Sequence, residues 1–224
     1  MTYLTRLFLN PRSRQVRSEL ANPYEMHRTI MHAFAGRAEK EDRVLFRLEI
    51  HPKRGIPILL VQSPLEPDWT FMLVPEKNYL LPLADFSPGV SENPAVKNFE
   101  PGLRPGQNLM FRLRANPTIK KDREGKKQGR RVGLYREDDQ LKWLERKLEV
   151  AGASLVSART SNETKLSGER KHESERQDLS FLSVQFDGVL QVKNPDLLVK
   201  TIGAGIGSGK GLGFGLLSLA PVAQ

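Results

Sequence analysis

One predicted helix carries the two side chains of this sequence that are best placed to move a proton, Tyr24 and His27. At about 100° per residue, Met26, Ile30 and Phe34 form an apolar stripe along this helix. His27 lies at the margin of the stripe, and Tyr24 lies one turn earlier beside it. Histidine gains and loses a proton near neutral pH, so the pair could perform general acid–base catalysis. The alternative is that both side chains only cover the edge of the core.

The remaining histidines show no such arrangement. His32 falls on the polar face of the same helix, His51 precedes a proline in a turn-like segment, and His172 lies among charged residues. No two histidines have the i, i+4 spacing that holds zinc on a helix, and the sequence has no cysteine. We therefore expect no metal site, no disulfide and no cofactor.

A run of alternating glycines spans residues 203–215 and has Lys210 in its middle. Backbone N–H groups exposed along such a run, next to a cation, can bind phosphate. The run is not a Walker loop, because Ala204 and Gly211 replace the required glycine and hydroxyl. A strict period of two also cannot produce the spacing of a dinucleotide-binding loop. These mismatches disfavour a nucleotide-dependent enzyme and leave a flexible linker as the other alternative.

The charge of the chain favours a polyanionic partner. Lysine and arginine total 35 against 26 aspartate and glutamate, which gives a net charge of +9. Seven basic and two acidic residues crowd the segment 120–131, a composition suited to a nucleic-acid backbone. The mixed segment 159–176 suits either that role or a solvated loop. Ribonucleases that work without metals use a histidine at a ribose 2′-hydroxyl, so the basic surface strengthens the case for His27.

The first part of the chain reads as βαββ followed by further β-rich sequence. A capping asparagine, Asn22, followed by Pro23 at the first helical position and by Glu25 for a capping box, predicts the start of the helix, which runs to about Gly36. Alternating or continuous apolar runs predict strands. These strands cover 3–9, 44–50 and 56–62, and the stretches 69–74 and 79–86 are expected to be strand or extended loop.

The second part repeats β-α-β-β-α-β after a segment rich in proline, glycine, asparagine and serine. Strands are predicted over 107–115, 153–159, 181–192 and 214–219, and helices over 135–152 and 195–202. We therefore predict an α+β protein of two tandem ferredoxin-like (RRM-like) domains. Their bounds are 1–90 for the domain with the Tyr24–His27 helix, 91–105 for a linker, and 106–224 for the domain with the basic segment and glycine run.

No apolar run approaches the roughly 18 residues that a membrane span needs. The apolar stretch at the N-terminus is also too short for a signal peptide. We expect a soluble, cytoplasmic protein with no membrane partner.

Three stretches of the sequence, in order along the chain, resemble one family. They cover 9–11 with 20–29, 109–117 and 205–221, and the segment 186–192 also fits. The chain resembles the CRISPR-associated endoribonucleases of subtype I-E, the repeat-processing subunit of the Cascade complex, over essentially its whole length.

This resemblance implies metal-independent cleavage of precursor CRISPR RNA at the base of a repeat hairpin, with the product retained for assembly with other Cascade subunits. His27 would be the catalytic histidine and Tyr24 its partner, which orients the ribose or the leaving 5′-oxygen. Attack by the 2′-hydroxyl would leave a 2′,3′-cyclic phosphate or 3′-phosphate and a 5′-hydroxyl. Whether His27 acts as acid or base stays open, and Arg28 or Lys210 would stabilise the developing charge.

A non-catalytic RNA-binding module is the alternative from another class, although no strand shows the exposed aromatic pattern of an RNA-recognition motif. In either case we expect the RNA to meet the positive residues of both halves and the glycine run. The candidate RNA-binding residues are Arg28, Arg112, Arg114, Lys120, Lys121, Lys126, Lys127, Arg130, Arg131, Arg159, Gly207, Gly209 and Lys210.

Overall fold

The structure is a computed structural model, and it describes the backbone of residues 2–39, 42–82, 91–121, 130–172 and 175–222. Side chains are described for the same residues except 130, 162–172 and 175–180. The chain divides into two compact units. The first comprises Met1–Glu100, Gly168–Gln177 and Gly211–Gly213, and the second comprises Pro101–Ser167, Asp178–Lys210 and Phe214–Gln224.

The first unit contains a four-stranded antiparallel sheet in the order β2-β3-β1-β4. The strands β1 to β4 are Tyr3–Phe8, Leu45–Ile50, Pro57–Ser63 and Ala95–Asn98, and the helices α1 and α2 are Arg14–Ala21 and Pro23–Met31. β1 is central and pairs with both β3 and β4. Both helices lie between β1 and β2, at the position of the first helix of a β-α-β-β-α-β unit, and the described residues between β3 and β4 contain no helix other than 3₁₀ turns. A core of fully buried side chains joins sheet to helices, among them Leu7, Phe46, Leu59, Met26 and Ile30.

The predicted start of α2 is confirmed. The Asn22 side chain accepts a hydrogen bond from the Tyr24 backbone N–H at 3.2 Å, and Pro23 occupies the first helical position. The capping box, however, is absent. Asn22 is also the C-terminal cap of α1, and its backbone N–H donates to the carbonyls of Ser18 and Glu19 of that helix. The helix ends at Met31 and continues as a 3₁₀ turn rather than as α-helix to residue 36.

Three segments of the first unit differ from the sequence-based expectation. Helix α1 was not predicted, because only Val16 and Glu19 of its eight residues are buried and no apolar stripe marks it. The stretch 69–74 contains a 3₁₀ turn, Thr70–Met72, where strand or extended loop was expected, since the Asp68 side chain accepts from the Thr70 N–H at 3.0 Å. The segment expected to be a linker contains β4, which pairs with β1.

The second unit repeats the same arrangement with its own antiparallel sheet, in the order β10-β5-β9-β8. Its strands β5 to β10 are Asn108–Ala115, Thr118–Lys121, Arg130–Gly133, Ala153–His172, Glu175–Val192 and Leu217–Pro221, and its helices α3 and α4 are Glu137–Val150 and Pro195–Ala204. The sequence-based prediction of an α+β protein with two ferredoxin-like units is therefore confirmed.

The charged segments of the second unit contain strands that were not predicted from the sequence. β6 and β7 pair as a separate hairpin at the two ends of the basic segment, with Lys120 opposite Arg131. Residues 122–129 lie outside the described residues. β8 and β9 extend through most of 159–176, so the interpretation of that stretch as a loop is wrong. A charged strand pair lacks the apolar alternation by which half-buried strands are recognised.

Candidate active site and basic groove

His27 lies half-buried on α2, against the aromatic core of the first unit. Its ring stacks on Phe46, with 6.1 Å between centroids and 15° between ring planes. The Nδ1 atom is buried and has no hydrogen-bond partner among the described residues. A buried polar atom without a partner is energetically costly and is an exception in folded proteins.

Burial lowers the pKa of His27 below its usual value of 6.5. Partial removal of water disfavours the imidazolium ion, and no charged neighbour offsets this among the described residues. At neutral pH the ring is therefore mostly uncharged, with one nitrogen able to accept a proton. This protonation state is the one that a general base requires.

Part of the glycine run lies directly against the His27 ring. Gly211, which belongs to the first unit, approaches so closely that a Cβ built on it would lie 3.6 Å from both Cδ2 and Nε2 of His27. Two residues later, a Cβ on Gly213 would lie 3.1 Å from the Phe46 ring. Glycine at position 211 therefore keeps side-chain atoms away from one edge of the imidazole.

The other proposed participants on α2 lie on different sides of the helix. Tyr24 is half-buried and precedes His27 by three residues, so the two side chains are neighbours on the helix surface. Arg28 is exposed and pairs with Glu25 at 2.9 Å. It lines a shallow depression with Arg14 and His32. Tyr24 is thus one helical turn from His27, whereas Arg28 is exposed and paired with Glu25.

A buried carboxylate, Glu19, connects α2 to the rest of the first unit. Its oxygens accept hydrogen bonds from Thr29 on α2 at 2.7 Å, from Gln15 at 2.8 Å and from the Tyr79 hydroxyl at 2.5 Å. Burial and the Glu19 charge raise the pKa of Tyr79 far above its usual range, so Tyr79 stays a donor. The network fixes α2, and with it His27, against α1.

The second unit carries a basic groove with a volume of about 440 Å³. Lys120 and Arg131 enter it from the hairpin, Lys147 from α3, and Lys210 from the glycine run. The Trp143 ring contributes to its wall, with the Lys147 ammonium 6.0 Å from the ring centroid. Positive side chains from three separate elements therefore converge on one concave surface.

Two glycines of the run are required by the conformation of the groove wall. Gly207 has a φ of +84°, and a Cβ on it would lie 3.2 Å from the Trp143 ring. Gly209 has a φ of +77°, and a Cβ on it would lie 2.9 Å from Phe214. Both positions combine left-handed backbone with close packing, so any other residue there would be strained. Lys210 itself donates to the Ala204 carbonyl at 2.6 Å.

The two arginines of β5 make contacts within the protein. Arg112 donates to Asp187 at 2.6 Å, and Arg114 donates to Ser183 at 2.8 Å and lies over the Phe214 ring. Arg159 and Lys121 are exposed on β8 and β6. Lys126 and Lys127 lie outside the described residues, as does the side chain of Arg130.

Two further observations concern metals and membranes. Among the described residues, no group of three or more histidine, aspartate or glutamate side chains is arranged to hold a metal ion. Within the same part of the chain, no helix is both long and apolar enough to cross a membrane.

Several contributors to these sites could not be identified from the sequence. Phe46 and Gly211 reach His27 from distant parts of the chain, and Lys147 and Trp143 reach the groove from α3. A run in which every second residue is glycine indicates that its backbone approaches another part of the protein closely. It does not indicate which residue the backbone approaches. Lys147 has no sequence signal at all, because it is an ordinary lysine on the polar face of a helix.

Fold and site together define a two-unit α+β protein that combines a neutral, half-buried histidine with a separate basic groove. The profile of the family described as CRISPR associated protein matches residues 2–221, and this chain belongs to that family.

Characterised relatives span nearly the whole chain. The CRISPR-associated endoribonuclease Cse3 of Thermus thermophilus is 40% identical over 230 residues, which cover 98% of this chain and 100% of the relative. The CRISPR system Cascade subunit CasE of Escherichia coli K12 is 31% identical and covers 89% of this chain and 92% of its own length. The structure of Thermus thermophilus Cse3 bound to an RNA representing a pre-cleavage complex superposes with a TM-score of 0.77, at 37% identity, over 98% of this chain and 99% of that chain.

Proposed function

We propose that this protein is a cytoplasmic, metal-independent endoribonuclease that cleaves precursor CRISPR RNA within the repeat, at the base of its hairpin. The observation that carries the proposal is the state of His27, which is uncharged near neutral pH and has a buried, unpartnered ring nitrogen. The endoribonuclease Cse3, to which the chain is similar over its full length, supports the substrate class.

In the proposed reaction, His27 acts as the general base. The imidazole takes the proton of the ribose 2′-hydroxyl, and the 2′-oxygen forms a bond to the adjacent phosphorus. The bond from phosphorus to the 5′-oxygen breaks, that oxygen takes up a proton from water as it leaves, and the His27 imidazolium returns its proton to the solvent. The products are a 2′,3′-cyclic phosphate, which can open to a 3′-phosphate, and a 5′-hydroxyl.

Tyr24 and the glycine run position the RNA for this step. The Tyr24 side chain, one turn before His27, orients the ribose or the leaving 5′-oxygen. Gly211 leaves the edge of the imidazole open, because it has no side chain there. The basic groove of the second unit holds the phosphate backbone through Lys120, Arg131, Lys147 and Lys210, and Lys126, Lys127 and Arg130 extend this contact.

Arg159 and Lys121 contribute further backbone contacts from their exposed positions on the strands. Arg112, Arg114 and Arg28 are weaker candidates, because each is held by another side chain of the protein. After cleavage the groove retains the product for assembly with other Cascade subunits, a role supported by the similarity to the Cascade subunit CasE.

One experiment tests the proposal directly. Labelled repeat RNA is incubated with the protein in excess chelator, beside the same RNA with a 2′-deoxy sugar just upstream of the scissile phosphate. We expect the first RNA to be cut at one position and the second to be bound but intact. Cutting of the deoxy substrate, or activity that returns only when Mg²⁺ is added back, would contradict the mechanism. Binding of both RNAs without cleavage would instead identify a non-catalytic module.

A further inference from the structure

Tyr135 is an exposed aromatic side chain next to the basic hairpin. It is 64% exposed, and no other aromatic side chain of the described residues is exposed to a comparable extent. Its hydroxyl has no hydrogen-bond partner among those residues. At this exposure most of the ring surface is available to a ligand.

The pairing of the hairpin places the Tyr135 ring on the face that carries the cations. Lys120 is opposite Arg131 and Thr118 is opposite Gly133. Directly opposed residues, and residues two apart on a strand, share a face, so these four positions lie on the same face of the hairpin. Thr118, Lys120 and Arg131 all line the basic groove. A Cβ on Gly133 would point toward the Tyr135 ring, 3.6 Å from its Cε2 and Cζ atoms. The ring therefore lies on the groove side of the hairpin.

Gly133 gives the ring its position. Because position 133 has no side chain, the Tyr135 ring can lie over the backbone of β7, close to Leu182. Arg131 lies two residues before Gly133 on the same strand, a spacing of about 7 Å between Cα atoms. In the other direction, the first turn of α3 is acidic, with Glu137, Asp138 and Asp139. Phosphates are therefore favoured on the hairpin side of the ring and disfavoured on the helix side.

We propose that Tyr135 is a stacking platform for an unpaired base of the bound RNA, whose flanking phosphates lie on Lys120 and Arg131. The inference rests on the proposed function, because it requires RNA in the groove. An aromatic ring beside a positive groove is the arrangement that binds single-stranded nucleic acid, since every base offers a face on which to stack. An unpaired base is specified because only such a base can leave its neighbours to stack on protein.

The test pairs protein variants with RNA variants. Tyr135→Phe keeps the ring, whereas Tyr135→Leu covers Gly133 equally well but offers no aromatic face. Each variant is titrated with repeat RNAs that carry a single abasic site at successive unpaired positions. Val156→Ala, at another exposed apolar residue of the second unit, is the matched control. Melting temperatures establish that each variant is folded.

We expect Tyr135→Leu to weaken binding of intact RNA by about 5- to 150-fold, the range for loss of one stacked base. Tyr135→Phe and Val156→Ala should stay within about twofold of the wild type, a change well below one such contact. One abasic position should weaken wild-type binding by the same factor as Tyr135→Leu and have no further effect on that variant. The salt dependence should not change, because no charge is lost.

Full affinity in a folded Tyr135→Leu variant would overturn the stacking role. So would losses from the Tyr135→Leu change and from the abasic site that add together at every position. In both cases, cleavage by the wild-type protein would leave the proposed function intact. If wild-type protein neither bound nor cleaved the RNA, the proposed function would fail and the stacking role with it. The result with wild-type protein therefore separates failure of the stacking role from failure of the proposed function.

Discussion

His27 in the first unit and the basic groove in the second unit show two opposite uses of the protein environment. His27 is half-buried and stacked on Phe46, and desolvation lowers its pKa. Lys120 and Arg131 are exposed to water. Partial removal of water suits a proton-transfer group, because the protein then sets the protonation state and the orientation of the ring. Cations that hold phosphate act best on long, solvent-exposed side chains, because their role is to attract the RNA over a distance.

This difference predicts that chemistry and affinity can be separated by mutation. Changes around His27 should alter the rate of cleavage and leave binding unchanged. Changes in the groove should alter binding and its salt dependence, and alter cleavage only when RNA is not saturating.

The largest expected effect is that of His27→Ala. A general acid–base residue contributes about 10²–10⁴-fold to a rate, so single-turnover cleavage should slow by that factor. Filter binding should be nearly unchanged, because a neutral imidazole adds little to phosphate attraction. His32→Ala is the matched control, since His32 is exposed on the same helix region. Full-rate cleavage by His27→Ala would remove the distinction between the two regions.

Gly211→Val tests whether the glycine run protects the catalytic edge. The valine methyl groups would extend from a Cβ that already lies 3.6 Å from the His27 ring. Displacement of reacting groups by about 1 Å can cost about 10²-fold, and we expect a loss of that order in single-turnover cleavage with unchanged affinity. Gly102→Val is the control, because nothing lies within 4 Å of a Cβ there. Equal cleavage by both variants would show that Gly211 has no such role.

Removal of groove cations should produce the complementary result. The double change Lys120→Ala with Arg131→Ala should weaken RNA binding and lower the slope of log K against log salt by roughly 1 for each lost contact. Lys193→Ala, an exposed lysine of the second unit outside the groove, should leave the slope unchanged. An unaltered slope in the double variant would mean that these side chains do not touch phosphate. Cleavage at saturating RNA should stay close to the wild-type rate.

The pH dependence of cleavage distinguishes a base from an acid at His27. Burial lowers its pKa below 6.5, and the neutral form is the active form of a base. The single-turnover rate should therefore rise by about tenfold per pH unit in acid and bend toward a plateau with a midpoint below pH 6.5. His27→Ala should lack this step. A rate that instead fell between pH 5.5 and 7 would identify the imidazolium as the active form.

The smallest effect concerns the support of α2. Glu19→Gln replaces one acceptor oxygen by an amide donor, so one of the three donors facing it loses its partner. The loss of such a buried hydrogen bond costs about 1–3 kcal/mol, measurable as a lower free energy of unfolding in urea. Tyr79→Phe removes the hydroxyl that donates to Glu19 and should lower the free energy of unfolding by a similar amount. Unchanged stability in both variants would show that the network does not hold α2.

Much of this molecule could be predicted from local sequence. Asn22 and Pro23 determine where α2 begins, because a side-chain acceptor and a fixed φ act within one turn. The spacing of apolar residues on α2 then places His27 at the margin of the core and His32 in solvent. The repeated order of strands and helices was likewise sufficient to predict two ferredoxin-like units.

Only the tertiary structure decided which distant residues meet. β4 was hidden in a segment rich in turn-forming residues, because its strand character depends on pairing with β1. The approach of Gly211 and the stacking of Phe46 set the state of His27, yet they lie far from it in the chain. Lys147 joins Lys120 and Arg131 only because α3 packs beside the hairpin. Local propensity acts over a few residues, whereas burial, pairing and charge convergence depend on how the whole chain packs, and these decided the chemistry of both regions.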